Sequence, residues 1–91
     1  MDYEWDAEKN RINIEKHGVD FDFASMVFED DDCINFVDDR KDYGEARNQT
    51  IGKVFDEILF VVWTGRGEKI RIISARYANK KEKRKYENGD D

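Results

Sequence analysis

The apolar positions change period partway along the chain. In "WDAEKNRINIEKHG" Asp6 is placed to cap a helix start and Gly18 to end the helix in the left-handed conformation. "DFDFASMVFED" sets Phe21, Ala24 and Phe28 at helical spacing with Val27 beside them, which predicts a second short helix with an aromatic inner face. Beyond it the period falls toward two. "CINFVD" alternates, "RNQTIGKV" reads as a polar-faced strand, "EILFVVWT" is a continuous apolar run suited to a central strand, and "KIRIISA" alternates again. "TGRGE" joins the last two as a hairpin whose two glycines supply unusual backbone angles. A third helix is predicted from about Lys80 to Asn88, with Asn79 and Glu82 at capping-box spacing and Gly89 at the stop, and "NGDD" reads as a frayed tail.

The expected order is therefore α-α-β-β-β-β-α. Sequential strands with short connections are most simply antiparallel, which gives an α+β fold: two N-terminal helices, a four-stranded antiparallel sheet and a C-terminal helix. Helices cover one face of that sheet and leave the other free for function. A chain of 91 residues buries one modest core, so residues 1–91 are expected to form a single domain. No apolar run is long enough to cross a bilayer, and "MDYEWDAEKN" has neither the basic region nor the apolar stretch of a secretory signal, so a cytoplasmic protein without membrane contact is expected. The one cysteine, Cys33, has no second thiol for a disulfide or a zinc cluster and is expected to be a small half-buried strand residue.

Charge divides the chain. Residues 1–45 hold fifteen acids and five bases, whereas residues 46–91 hold eleven bases and seven acids, so a net charge of −6 conceals a basic second half. From Arg66 to Tyr86 nine cations face only Glu68 and Glu82. Lys80 and Lys81 open a helix, where the macrodipole favours anions, and Lys80 with Arg84 and Lys81 with Lys85 are like-charge pairs four residues apart. A sequence shaped for stability alone would avoid this arrangement, so an external polyanion or an acidic partner is expected there. The acidic tract Glu29 to Asp32 lacks the spaced ligands and the turn glycine of a calcium loop and reads as solvated surface.

Alternation along "KIRIISAR" puts Ile70, Ile72 and Ser74 on one face and Lys69, Arg71, Ile73 and Ala75 on the other, with Arg76 following at the strand's end. Two guanidiniums near one another beside a lysine-rich helix start would make a phosphate site. His17, the only histidine, sits at a predicted helix C-terminus, where its cation is favoured. Its ordinary pKa suits proton transfer near neutrality, and a purely structural role fits the position equally well. No GxSxG, HExxH, reactive-cysteine pattern or phosphate-binding glycine loop is present.

"YEWDAEKNRINIEKHGVDFDFASMVFEDD", "RNQTIGKV" and "RIISARYANKKEKRKYE", in that order over nearly the whole chain, resemble the BrnT toxins. The resemblance implies a RelE-like ribonuclease fold, RNA cleavage that inhibits translation, and neutralisation by a BrnA-like antitoxin with a ribbon-helix-helix domain. The pair would form a hetero-oligomer that binds operator DNA through the antitoxin. Positions shared with the family pattern are Trp5, Asp6, Lys9, Asn13, Lys16, His17, Gly18, Arg47, Arg76 and Glu82, of which Trp5, Asp6 and Gly18 read as capping and packing residues. Metal-free RNA cleavage needs a base for the 2′-OH, an acid for the leaving oxygen and cations for charge on phosphorus. The expected catalytic residues are His17, Arg71 and Arg76, and the expected RNA-binding residues are Lys9, Lys16, Arg47, Lys80, Lys81 and Arg84, with no metal or cofactor. The alternative is a non-catalytic module of the same fold that engages only an acidic or DNA-binding antitoxin. A DNA-reading role for the last helix fits less well, because "KKEKRKYE" offers mostly phosphate contacts.

Overall fold

The computed structural model describes residues 2–38 and 46–89. Asp6 caps α1 (Ala7–His17): its carboxylate accepts the N–H groups of Lys9 at 3.0 Å and Glu8 at 2.9 Å, and these bonds hold it below the ordinary carboxylate range. Gly18, at φ 70°, ends the helix as expected. Asp20 caps α2 (Phe21–Ala24), which tightens at once into a 3₁₀ turn over Ser25–Glu29, so the second predicted helix changes pitch halfway. The change comes where the backbone descends on the sheet: a Cβ at Gly52 would stand 2.9 Å from Val27 Cβ and 3.0 Å from its carbonyl oxygen. Only glycine admits that approach.

The four predicted strands are present as β2 (Ile34–Asp38), β3 (Arg47–Val54), β4 (Glu57–Arg66) and β5 (Lys69–Tyr77), successively antiparallel. The sheet nevertheless has five strands and is mixed, because β1 (Asp2–Glu4) pairs parallel to the first residues of β5, giving the order β1-β5-β4-β3-β2. Three residues are too few for alternation to show. Past β1 the edge of β5 is closed by a side chain. Buried Asn13 donates Nδ2–H to the carbonyls of Ala75 (2.8 Å) and Val19 (2.9 Å), and its Oδ1 accepts the Ala75 N–H at 3.1 Å. In the hairpin between β4 and β5 only Gly67, at φ 59°, is left-handed; Gly65 remains in β4. In the β3–β4 turn Phe55 adopts φ 53°, unusual for a bulky residue, and its exposed ring stacks on Phe23 with centroids 6.3 Å apart.

Register corrects the expected parity of β5. Val62 pairs with Ser74 but Trp63 pairs with Ile72, so Ile73 is an extra residue in a β-bulge. Ile70, Ile72 and Ala75 therefore share the helix-covered face, while Ser74 turns to the other face. Arg71 and Arg76, an odd and an even position, also come to lie on the same face, opposite Thr64 and Phe60. The covered face buries Val19, Phe21, Ala24, Val27, Leu59, Val61, Ile72 and Ala75, and each fully buried large apolar side chain contributes about 1.5–3 kcal/mol. Phe28 closes that layer, edge-on to Trp63 and stacked on Tyr3.

Among the described residues the opposite face carries only α3 (Lys80–Glu87), capped by the expected box: Asn79 Oδ1 accepts from Glu82 N–H at 2.8 Å and Glu82 Oε1 accepts from Asn79 N–H at 2.9 Å. Gly89 stands at the stop with φ 66°, and the rest of the predicted frayed tail, Asp90 and Asp91, lies outside the described residues. No residue of α3 is buried. Its last turn is tied down where Tyr86 Oη donates to Asp30 Oδ2 at 2.7 Å, an oxygen that also accepts the Lys53 N–H at 2.8 Å. Burial pushes the Asp30 carboxyl up, but these hydrogen bonds outweigh it and hold the group below its ordinary value; burial and Asp30 together raise the Tyr86 hydroxyl. Asp30 is thus a clasp within a tract expected to be solvated surface.

Candidate active site

The turn of β5 into α3 creates the site. Arg76 leaves the open face of β5 with its guanidinium carbon 4.3 Å from the Phe60 ring centroid, and its Nη1 and Nη2 donate to Glu82 Oε1 and Oε2, both at 2.8 Å. Nη1 also donates to the Tyr77 carbonyl at 3.3 Å. The capping box fixes Glu82 from behind, so the carboxylate is positioned by its own backbone as well as by the arginine. Burial pushes the Glu82 carboxyl up, yet the Arg76 hydrogen bonds and the Asn79 N–H hold it below its ordinary value. The same hydrogen bonds raise Arg76, which stays a cation throughout.

Arg76 and Glu82 line a cleft of about 460 Å³ between α3 and the sheet, together with Phe36, Gln49, Lys81 and Lys85. Lys85 Nζ stands 4.9 Å from the Phe36 ring centroid. The cleft therefore combines aromatic surfaces, three cations, the amides of Gln49 and Asn79 and one carboxylate. Cations beside π-faces suit a single-stranded nucleic acid, whose phosphates and bases make opposite demands on a surface.

A smaller groove of about 180 Å³ runs between α1 and β5, lined by Lys9, Lys16, His17, Ile73 and Ser74. Ser74 pairs across the sheet with Val62, which lines the larger cleft, so the two concavities are lined by neighbouring residues of β4 and β5. Two residues of strand, roughly 7 Å, separate Ser74 from Arg76.

The residues expected from sequence are thus distributed. Arg76 and Lys81 meet in the cleft, and Lys9, Lys16 and His17 meet in the groove. Arg71 shares the open face but its Nη1 donates to Glu4 Oε2 at 2.8 Å, and both side chains are about 28% exposed. Arg47 is half-buried opposite Asp38 in the β2–β3 register. Lys80 and Arg84 are exposed on α3 and do not line the cleft. The basic run from Arg66 to Lys85 is accordingly not one strip: Arg66 and Lys69 lie at the hairpin end of β5 and α3 begins beyond its other end, roughly 26 Å away. Glu82 and Lys85 were not expected in the site. The signal for both was local, since Lys85 is four residues from Lys81 and Glu82 is the residue the capping box orients.

Among the described residues no group of three or more His, Cys, Asp or Glu side chains is arranged to hold a metal ion, and no helix is long and apolar enough to cross a membrane. A comparison with curated proteins finds no match. Residues 5–82, by contrast, match the model of a protein family described as the ribonuclease toxin BrnT of type II toxin-antitoxin systems. A match over that span, together with the α+β fold on which it falls, places this chain in the BrnT toxin family.

Proposed function

We propose that residues 1–91 form one toxin domain of RelE-like fold, a cytoplasmic endoribonuclease that cleaves RNA without a metal and thereby inhibits translation. The observation that carries this reading is the Arg76–Glu82 pair at the edge of a cleft lined by Phe60, Lys81 and Lys85. Cleavage by the neighbouring 2′-OH requires proton transfer and stabilisation of the charge that builds on phosphorus. Arg76 supplies that charge in the cleft and Arg71 extends it along the same face toward β1. His17 supplies proton transfer from the adjoining groove, where Lys9 and Lys16 hold the backbone of the RNA. Lys81 lines the cleft, while Arg47, Lys80 and Arg84 attract RNA from farther out. A BrnA-like ribbon-helix-helix antitoxin neutralises the toxin in a hetero-oligomer by laying an acidic segment on the α3 side, and it holds operator DNA itself.

One observation favours the non-catalytic alternative. Arg71 and Arg76 are both bonded to the protein's own carboxylates, Glu4 and Glu82, as expected of a scaffold that has no substrate to hold. Incubating the purified protein with unstructured RNA in EDTA separates the two readings. A metal-free endonuclease cleaves the RNA; a binding module leaves it intact.

A further inference from the structure

We infer that Glu82 is the general base of the cleavage, an assignment that rests on the ribonuclease reading above. Only part of the Arg76 guanidinium is occupied. Its Nη1 and Nη2 face Glu82 end-on, and Nη1 directs its other hydrogen to the Tyr77 carbonyl. Among the described residues Nε–H and the second hydrogen of Nη2 have no partner. Those two hydrogens form the side-on edge of the guanidinium, which matches two oxygens of a phosphate. A phosphate seated there shares Nη2 with Glu82 Oε2. The ribose attached to it then presents its 2′-OH toward that carboxylate.

Glu82 has the capacity to accept the proton. Its Oε1 takes two hydrogen bonds, from Arg76 and Asn79, whereas Oε2 takes one, leaving a lone-pair site open on the oxygen nearer the phosphate edge. In the step, Oε2 removes the proton from O2′, O2′ bonds to phosphorus, and the P–O5′ bond breaks with its electron pair on O5′. O5′ takes a proton from His17, the acid assigned in the adjoining groove. The products are a 2′,3′-cyclic phosphate and a 5′-hydroxyl, and the proton on Glu82 returns to His17 through water. Arg76 neutralises the phosphoryl oxygens throughout, which keeps its tie to Glu82 useful: the base and the electrophile are set by one planar group.

The test compares wild type with Glu82→Gln and Glu82→Asp. Glutamine keeps the size of the side chain and serves a capping box as well as glutamate does, so the helix cap is preserved while the ion pair with Arg76 is lost. Single-turnover cleavage of a fluorescent single-stranded RNA in EDTA is measured across pH, alongside thermal stability and affinity for a DNA oligonucleotide of the same sequence. Expected for Glu82→Gln are cleavage at least about 100-fold slower, a melting temperature lowered by loss of the ion pair with Arg76, near-unchanged DNA affinity, and loss of the acid limb of the pH–rate profile. Glu82→Asp, which keeps a carboxylate, retains that limb and cuts faster than the glutamine variant. Glu82→Gln cleaving within threefold of wild type, or retaining the wild-type acid limb, overturns the assignment and leaves the ribonuclease reading standing. Should Glu82→Gln not fold, a folded Glu82→Asp that has lost the acid limb overturns it. Wild type that never cuts overturns the ribonuclease reading itself.

Discussion

On one face of the sheet Phe21, Val27, Leu59 and Ile72 are withdrawn from water almost completely, whereas on the other Ile51 is buried at the floor of the cleft and none of α3's own residues is buried. The covered face is held by apolar area, which is non-directional and tolerates no void. The other is held by two polar clasps, Arg76–Glu82 at the start of α3 and Tyr86–Asp30 at its end, with a cleft left between. Directional bonds fix a helix at its ends and spare the space beneath it. The apolar cluster under the N-terminal helices thus shares no residue with the lining of the cleft.

Substitutions on the covered face should unfold the protein. Phe21→Ala is expected to lower stability by about 3–5 kcal/mol, a large part of what a domain this small possesses, and urea denaturation reads it directly. A loss below about 1 kcal/mol would mean the covered face is not the core. Asn13→Leu removes the closure of β5 and strands the Ala75 and Val19 groups it pairs, at about 1–3 kcal/mol for each buried group left unsatisfied. The amide proton of Ala75 should then exchange faster than those of β4.

On the cleft face the effects should appear in binding rather than folding. Lys81→Glu should weaken binding of single-stranded nucleic acid and flatten its dependence on log salt by about 0.7 for each phosphate left without its cation, with little change in melting temperature. Lys80→Glu, outside the cleft, should act less on both. Equal effects would make the cleft irrelevant to binding.

The clasps also give α3 its own pH range. Glu82 and Asp30 have folded values below the ordinary carboxylate range, so the stability they add is present above about pH 4 and is lost as pH falls through their lower folded values. Tyr86 is raised, so its contribution is present below about pH 10 and is lost as pH rises through its higher folded value. Hydrogen exchange should show α3 loosening in acid and in strong alkali before β4 does. Uniform loosening of both would break the distinction between the faces.

How much of this was legible in the sequence differs by face too. Asp6, Gly18, the apolar spacing of Phe21 and Ala24, and the Asn79–Glu82 box are local signals, and the elements they predict are present. β1 left no trace because a three-residue strand is shorter than the pattern that would reveal it. The bulge at Ile73 depends on how β4 and β5 meet, so alternation within β5 alone put Ser74 and Ala75 on the wrong faces. Arg76 was singled out from its charge and position. That Glu82 grips it, that Glu4 grips Arg71, and that His17 opens into a separate groove are tertiary facts on which helix and strand periods are silent.

Whether RNA is cut in the cleft under α3 is tested most directly by the EDTA cleavage rate of Arg76→Ala beside His17→Ala and wild type, each shown to be folded by circular dichroism. Both variants are expected to lose at least about tenfold, with Arg76→Ala the slower because it removes the phosphate's cation and frees Glu82 together. A folded Arg76→Ala protein that cleaves RNA at the wild-type rate would contradict the account.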